Sequence, residues 1–361
     1  MSRVLLVGKG APDRGGIPSF LDGLRSGELS RRHAIDFLNL AHVGTPEGGA
    51  VTWGNLRRTL TDAWSVWRRA KGQDVVHINS ALAPTVTVLR AGLLALAGRL
   101  RGCAVVVHAH GGNIETYVDR WHARAVIRIA LRPATVVVAC WGAGHDALSR
   151  VLGSRRVELI LNGVDVDRFD VPNQRPHRPP RVLYVGLLTP RKGVLDLIQA
   201  SRELQDEGLD HELRLLGGTP DEGPAAAQPV LEAAQGHATR LGTRSPDQMP
   251  HEYAAADIFC LPSWWEAMPL SVLEAMAAGL PVVATDVGEV RKIVADGETG
   301  FVVPAQAPDL LAQALRKMLT DPVVALDRGR KGLERVHDRF SARQTALEID
   351  RLYTTVLGGR R

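Results

Sequence analysis

The chain has 361 residues, 45% of them hydrophobic, and a formal net charge of +5 at pH 7; one core rarely organises that length, so two domains of roughly 150 to 200 residues each are expected. No segment reaches the ~18 uninterrupted apolar residues of a membrane span, and with aromatics at only 5% and no recognised binding motif, nucleic acid is not expected as a partner. Cys103, Cys140 and Cys260 stand apart in apolar runs without C-x-x-C spacing, which reads as buried free thiols in a reducing cytosol rather than disulfides or a metal site.

From the start, short β-branched runs alternate with longer helical stretches. Residues 4–7 form a first strand straight after Met1-Ser2-Arg3, and no apolar leader with a cleavage site is read before it. Gly8-Lys9-Gly10-Ala11-Pro12-Asp13-Arg14-Gly15-Gly16 then makes a glycine-rich loop opening a helix at 18–24. Such a loop can bring backbone amides against phosphate or sugar, although it matches neither G-x-G-x-x-G nor a P-loop. Strands follow at 36–40, 75–78, 104–108, 135–139 and 157–160, with helices at 55–70, 84–99, 121–130 and 143–152. Continuous apolar strands flanked by helices indicate a parallel sheet covered on both faces.

The helix 55–70 carries much of a charge asymmetry. Residues 1–170 hold 22 basic against 14 acidic side chains, and residues 171–361 hold 22 against 25. Arg57, Arg58, Arg68 and Arg69 share the helix with Trp64 and Trp67, and Lys71 follows it. The preferred reading is a solvated basic face with Leu60 and Trp64 in the core; the alternative is an amphipathic surface in peripheral contact with an anionic membrane. At the end of the fourth strand, His108 and His110 point the same way by alternation. With no carboxylate or third ligand nearby, one structural and one substrate-facing histidine is expected rather than a metal pair.

A proline-rich polar stretch at 171–180 reads as an interdomain linker. The pattern then restarts, with strands at 182–185, 212–216, 258–261, 282–284 and 301–303 and a helix at 194–203. The expected class is α/β: two doubly wound Rossmann-like domains, with ligands beyond the strand C-termini and in the cleft between domains. After the first strand of this half, the turn Thr189-Pro190-Arg191-Lys192-Gly193 offers two cations that suit a diphosphate or simply solvent.

Glu266 and Glu274 flank a helix start. Pro269 is expected at the first helical position, and Gly279 with Pro281 ends the helix. The first-turn amides of Leu270 and Ser271 lie at the positive end of the helix dipole and make an anion site; Glu274, one turn beyond Leu270, shares its face. A nucleoside diphosphate sugar fits this layout, with diphosphate on the amides, ribose on Glu274 and sugar hydroxyls on Glu266. A buried arginine partner for Glu274 and a solvated Glu266 would fit the spacing equally well.

Four blocks together carry a resemblance: the Gly15-Gly16 loop, Asn162-Gly163-Val164-Asp165 with Phe169, the 186–193 loop, and the run 256–263 continuing through Glu266 and Glu274 to Gly297-Glu298-Thr299-Gly300-Phe301. They resemble retaining glycosyltransferase family 4, of the GT-B fold, over essentially the whole chain and most specifically in its second half. The resemblance implies an acceptor-side domain at 1–170, a donor domain at 181–339 facing it across a cleft, and a helix within 340–361 crossing back to the first. It implies a hexosyltransferase-type enzyme that needs neither metal nor cofactor. Glu266 would hold donor-sugar hydroxyls, Glu274 the ribose, Lys192 and Arg191 the diphosphate, and Gly15 and Gly16 the phosphate side. His110 would meet the sugar near the reacting carbon, with Met268, Leu270 and Ser271 completing the donor site; His110, Glu266 and Lys192 are the residues implied in catalysis. Front-face attack, with the leaving diphosphate helping to deprotonate the acceptor, would retain the anomeric configuration.

The implied donor is UDP- or GDP-linked, its base near Gly242-Thr243-Arg244. The implied acceptor is a glycan, lipid-linked or small-molecule hydroxyl in polysaccharide or glycoconjugate biosynthesis, in the cytoplasm or on the inner membrane face. One position departs from the family: Leu187 stands where an arginine is common, so Arg191 or Arg14 would have to compensate. Without compensation the chain would be a donor-binding but inactive partner subunit. A GT-B epimerase or hydrolase is the other alternative, and it needs an acid pair in the first half that the sequence does not reveal.

Overall fold

The computed structural model describes residues 1–13, 15–41, 53–173, 175–219 and 224–359; Arg14 lies outside them. The chain divides into two units, Met1–Gly163 with Ala342–Arg361, and Val164–Ser341. The helix Ala342–Gly358 belongs to the first unit and is tied there by polar contacts. Its Tyr353 hydroxyl lies 2.6 Å from His77 Nδ1, its Asp350 bonds Arg32 and His33, and its Thr345 hydroxyl donates to the Leu161 carbonyl.

The first unit is a six-stranded sheet: β1 (Arg3–Gly8), β2 (Ala34–Asn39), β3 (Val75–Ser80), β4 (Ala104–Ala109), β5 (Val136–Ala139) and β6 (Val157–Leu159). The strands are parallel in the order β2-β1-β3-β4-β5-β6. The second unit repeats the plan with β7 (Arg181–Val185), β8 (Glu212–Leu216), β9 (Ala238–Gly242), β10 (Ile258–Leu261), β11 (Val282–Thr285) and β12 (Gly300–Val303). Its order is β12-β11-β10-β7-β8-β9, again parallel. Strand β9 escapes the sequence pattern because Ala-Thr-Arg-Leu-Gly holds a single β-branched residue and lies half-exposed at the sheet edge, where no apolar run is needed. In each sheet the strand order reverses once, between β1 and β3 and between β7 and β10. At such a switch point the following loops part to opposite faces and open a crevice at the strand C-termini.

Two further expectations meet a different structure. The stretch 171–180 is read as a linker, but its described residues from 175 onward are held on the second unit. Arg175 donates to the carbonyls of Ala278 and Gly279, and the nearly buried Asp257 collects donors from His177 and from the backbone of Arg181. A carboxylate placed at a strand start and removed from water needs such donors, and the incoming segment supplies them. The helix Trp53–Arg69 buries Asp62, Ala63 and Val66, while Leu60 and Trp64, expected in the core, are 55% and 57% exposed. The reason is angular: Leu60 and Trp64 share one face four residues apart, and that face is turned roughly 130° from the buried one. Asp62 can occupy the buried face because Arg90 donates to it at 2.8 Å. No helix among the described residues is long and apolar enough to cross a membrane.

Candidate functional site

The crevice between β7 and β10 is built by two loops that fix each other through backbone contacts. The loop after β7 turns through Pro190–Lys192 into Gly193, whose φ of +67° favours glycine; a Cβ there would lie 1.8 Å from the Pro262 carbonyl oxygen. Trp264 N–H donates to the Arg191 carbonyl at 3.0 Å, and its indole to Asp196 at 2.7 Å. With both loops so pinned, Lys192 Nζ stands 2.6 Å from Glu266 Oε1, which also accepts from the Ser263 hydroxyl at 2.7 Å. Lys192 is 18% exposed and Glu266 13%, so Glu266 is no solvated loop acid. The loop after β11 seats its backbone: Glu289 N–H donates to the Ala267 carbonyl at 3.0 Å. Gly288 has φ +53°, and a Cβ on it would approach the Glu266 carbonyl oxygen to 2.4 Å.

The helix Leu270–Ala277 begins one residue later than expected. Pro269 is its N-cap, with an extended ψ of 110°, and the Pro269 carbonyl accepts from Val272 N–H at 3.2 Å. Leu270 and Ser271 remain the first-turn donors that have no intrahelical acceptor, just after the buried Met268. Gly279, at φ +70°, closes the C-terminal end in the left-handed conformation.

Glu274 is half-buried and accepts from the Tyr253 hydroxyl at 2.8 Å; no arginine pairs with it among the described residues. Burial pushes its carboxyl up from 4.5 to about 7, against the opposing pull of the Tyr253 bond and the Arg168 charge. Burial and this same carboxylate raise the Tyr253 hydroxyl well above its ordinary range, so it stays a donor. The rim is cross-tied: Gly186 N–H reaches the Leu216 carbonyl, Leu188 N–H that of Gly218, and Gly217 N–H that of Gly242. On it, Leu187 is 42% exposed, and Arg191 is exposed without a carboxylate partner among the described residues. Arg244 is engaged by Glu252 and the Leu241 carbonyl.

The first unit gathers its own candidates. Gly15, at φ +121°, is the N-cap of the helix Gly16–Ser26, and both glycines are exposed. Phe20 of that helix packs on His110 with ring centroids 4.6 Å apart. His110 Nε2 donates to Asn79 Oδ1 at 2.8 Å. Beneath it, His108 is fully buried, stacked on His110 at 4.2 Å, with Nδ1 3.3 Å from His77 Nε2. Burial first, and the His77 imidazole second, push His110 down to about 3, and burial alone does the same for His77. Both imidazoles are therefore neutral at pH 7, which leaves His110 a hydrogen-bonding group rather than a charged one. Among the described residues no three His, Cys, Asp or Glu side chains are placed to hold a metal ion.

The second unit thus brings Lys192, Glu266, Met268, Leu270, Ser271 and Glu274 onto adjoining loops and one helix start, and the first packs His110 on Phe20 of the helix that Gly16 opens. Sequence reasoning missed Tyr253, Ser263, Asn79, His77 and Tyr353. A histidine and an asparagine inside the apolar run Val75-Val76-His77-Ile78-Asn79 were the available signal, since polar groups in a buried strand need partners.

Residues 25–168 match the family model described as Glycosyltransferase Family 4, and residues 179–321 the one described as Glycosyl transferases group 1. The chain is 31% identical over 327 residues to an alpha-maltose-1-phosphate synthase of Mycolicibacterium smegmatis, covering 78% of this chain and 82% of that protein. It is 32% identical over 219 residues to a D-inositol 3-phosphate glycosyltransferase of Corynebacterium efficiens, covering 55% and 51%. Among solved structures, a sucrose-phosphate synthase from Thermosynechococcus elongatus superposes with a TM-score of 0.76 at 22% identity over 99% of this chain and all of that one. Anabaena Alr3699/HepE in complex with UDP and glucose gives a TM-score of 0.75 at 18% identity over 98% and 100%.

Proposed function

Because this chain belongs to the group 1 glycosyl transferases of family 4 and has their GT-B fold, we propose that it is a retaining transferase that moves a hexose from a UDP- or GDP-linked donor to a hydroxyl acceptor. The acceptor class proposed is a glycan, a lipid-linked sugar or a small molecule of glycoconjugate synthesis. The observation that carries this reading is the Lys192–Glu266–Ser263 cluster beside a helix N-terminus whose second turn holds Glu274. In this reading the cations and amides would meet phosphate charge, and the carboxylates hydroxyls.

In the proposed reaction the acceptor oxygen bonds to the anomeric carbon on the face that the diphosphate leaves. The bond from that carbon to the diphosphate oxygen breaks, and the acceptor proton passes to the leaving group. Lys192 has three N–H donors and gives one to Glu266, so two remain for diphosphate oxygens. Arg191 and the amides of Leu270 and Ser271 add fixed positive potential where charge grows as the bond breaks. Glu266 would accept sugar hydroxyls, Glu274 the ribose diol, and in the first unit Gly15, Gly16 and neutral His110 are further proposed ligands of phosphate and sugar. Since these fixed groups can hold the diphosphate, activity is expected to survive chelation with EDTA; abolition by EDTA and rescue by magnesium or manganese would reject that part.

The first test is a thermal-shift and calorimetric screen of UDP, GDP, ADP and their common sugar conjugates against wild type and Glu274→Ala. One nucleoside diphosphate sugar should raise the melting temperature of wild type and not of the variant. Binding by none would favour the inactive-subunit reading that Leu187 suggests. Release of free nucleoside diphosphate only when an acceptor is added separates transfer from epimerisation or hydrolysis.

A further inference from the structure

Three helices of the first unit expose an outer face that the donor-site reading does not use. Trp53–Arg69, Thr85–Leu100 and Trp121–Ala130 connect successively β2 to β3, β3 to β4 and β4 to β5. All three connections advance in the same direction across the sheet, so right-handed crossovers put the helices on one face, where they pack side by side.

Each helix carries large apolar side chains outward. On the first, Trp53, Leu56, Leu60 and Trp64 recur every three to four residues as one exposed stripe, with Trp53 at 87%. On the second, Leu89, Leu96 and Leu100 repeat at helical spacing, and on the third Trp121 and Ile129 are each 75% exposed. Isolated exposed hydrophobics need no explanation, but ridges on three adjacent helices form a patch that marks a contact surface.

The charge of the layer says what it contacts. The three helices hold eight arginines and a single acid, Asp62, which is buried and bonded to Arg90. Arg57, Arg68, Arg99 and Arg124 are exposed, and none pairs with a carboxylate among the described residues. Trp64 stacks on Trp67 at 4.8 Å, and the Arg101 guanidinium lies 3.4 Å over the Trp67 ring. Tryptophan and leucine flanked by arginine suit the boundary between anionic headgroups and acyl chains, where apolar insertion and basic charge together give stable attachment. A second copy docked through the same face would lay arginine against arginine with no exposed acid on these helices to offset it.

We infer that this three-helix face docks the protein on a bilayer surface containing anionic phospholipid, with Trp53, Leu60 and Trp64 entering the headgroup region and Arg57 and Arg68 meeting lipid phosphates. The inference stands apart from the donor-site reading, because it uses none of that site's residues.

The test is co-sedimentation of the full chain with phosphatidylcholine vesicles, with and without phosphatidylglycerol, together with tryptophan emission. The wild type should pellet with phosphatidylglycerol-containing vesicles, emit at shorter wavelength there, bind pure phosphatidylcholine weakly and release as salt rises. Trp53→Ser with Trp64→Ser, and separately Arg57→Glu with Arg68→Glu, should each lower partitioning at least roughly tenfold. All four positions are exposed, so an unchanged melting temperature is the control for folding. Absence of wild-type binding to phosphatidylglycerol vesicles would overturn the inference, as would equal binding by both variant pairs. So would self-association in sedimentation velocity, without lipid binding, that both pairs abolish.

Discussion

At neutral pH the Glu274 carboxyl is close to half-protonated, because burial has moved it to about 7. A ribose diol donates to the charged form, so donor binding below that pH must first expel a proton. Donor Kd should therefore rise by up to about tenfold per pH unit below about 7; calorimetry across pH 5 to 8 checks this, and a flat profile would remove Glu274 from the ribose site. The same shift acts on stability with a defined sign. A carboxyl raised in the folded state contributes stability that is fully present below its ordinary 4.5 and is lost as pH rises to about 7. Glu274→Gln should recover on the order of 3 kcal/mol at pH 8 while losing donor affinity. Around the diphosphate, Arg191→Ala is expected to cost nearly as much turnover as Lys192→Ala, since Leu187 supplies no cation; untouched turnover in Arg191→Ala would refute that compensation. In the first unit, Asn79 Oδ1 accepts from His110 Nε2 and so fixes which ring nitrogen keeps its lone pair. Asn79→Ala should lower kcat roughly 10- to 100-fold with little change in donor Kd, and the ring ¹⁵N spectrum of His110 should show mixed tautomers.

The elements that position the site follow from short sequence signals of unequal strength. Strands β1, β4, β7, β10 and β11 are apolar runs whose burial on both faces leaves no alternation to misread, and the Glu266–Glu274 run announces its helix through Pro269 and Gly279. The one-residue error at Pro269 arises because proline tolerates both the cap and the first turn, and only its ψ of 110° tells them apart. Partners brought in by tertiary approach were not legible: Tyr253 reaches Glu274 from a helix 21 positions earlier, and His77 meets Tyr353 across 276 positions, whereas Ser263 bonds Glu266 locally, three positions away. Periodicity assigned Leu60 and Trp64 to the core because it finds an apolar face without saying what covers it. Two glycines show the opposite case, where a single residue type is dictated by the closeness of loops. Gly193→Ala should cost about 2 to 3 kcal/mol in urea unfolding and loosen Lys192 from Glu266; a variant as stable as wild type, with unchanged donor affinity, would show that the 1.8 Å approach to Pro262 relaxes freely.

At the scale of the molecule, the two units repeat one doubly wound plan but are closed differently by the chain. The second is a continuous segment, Val164–Ser341, whereas the first is completed by Ala342–Gly358. Removing that helix should strip hydrogen-exchange protection from β1 and β3 while β7, β8 and β10 keep theirs; equal loss in both sheets would mean that the units unfold as one. The helix supplies the Tyr353 hydroxyl to His77 and covers Leu29 and its neighbours on the adjoining helix Glu28–Arg32. During translation this arrangement inverts the usual order of maturation. The sheet synthesised first stays unsealed while the middle of the chain can already close around its own core, so a ribosome that stalls before the final helix would release a chain whose later half is folded and whose earlier half is the part a chaperone must shelter.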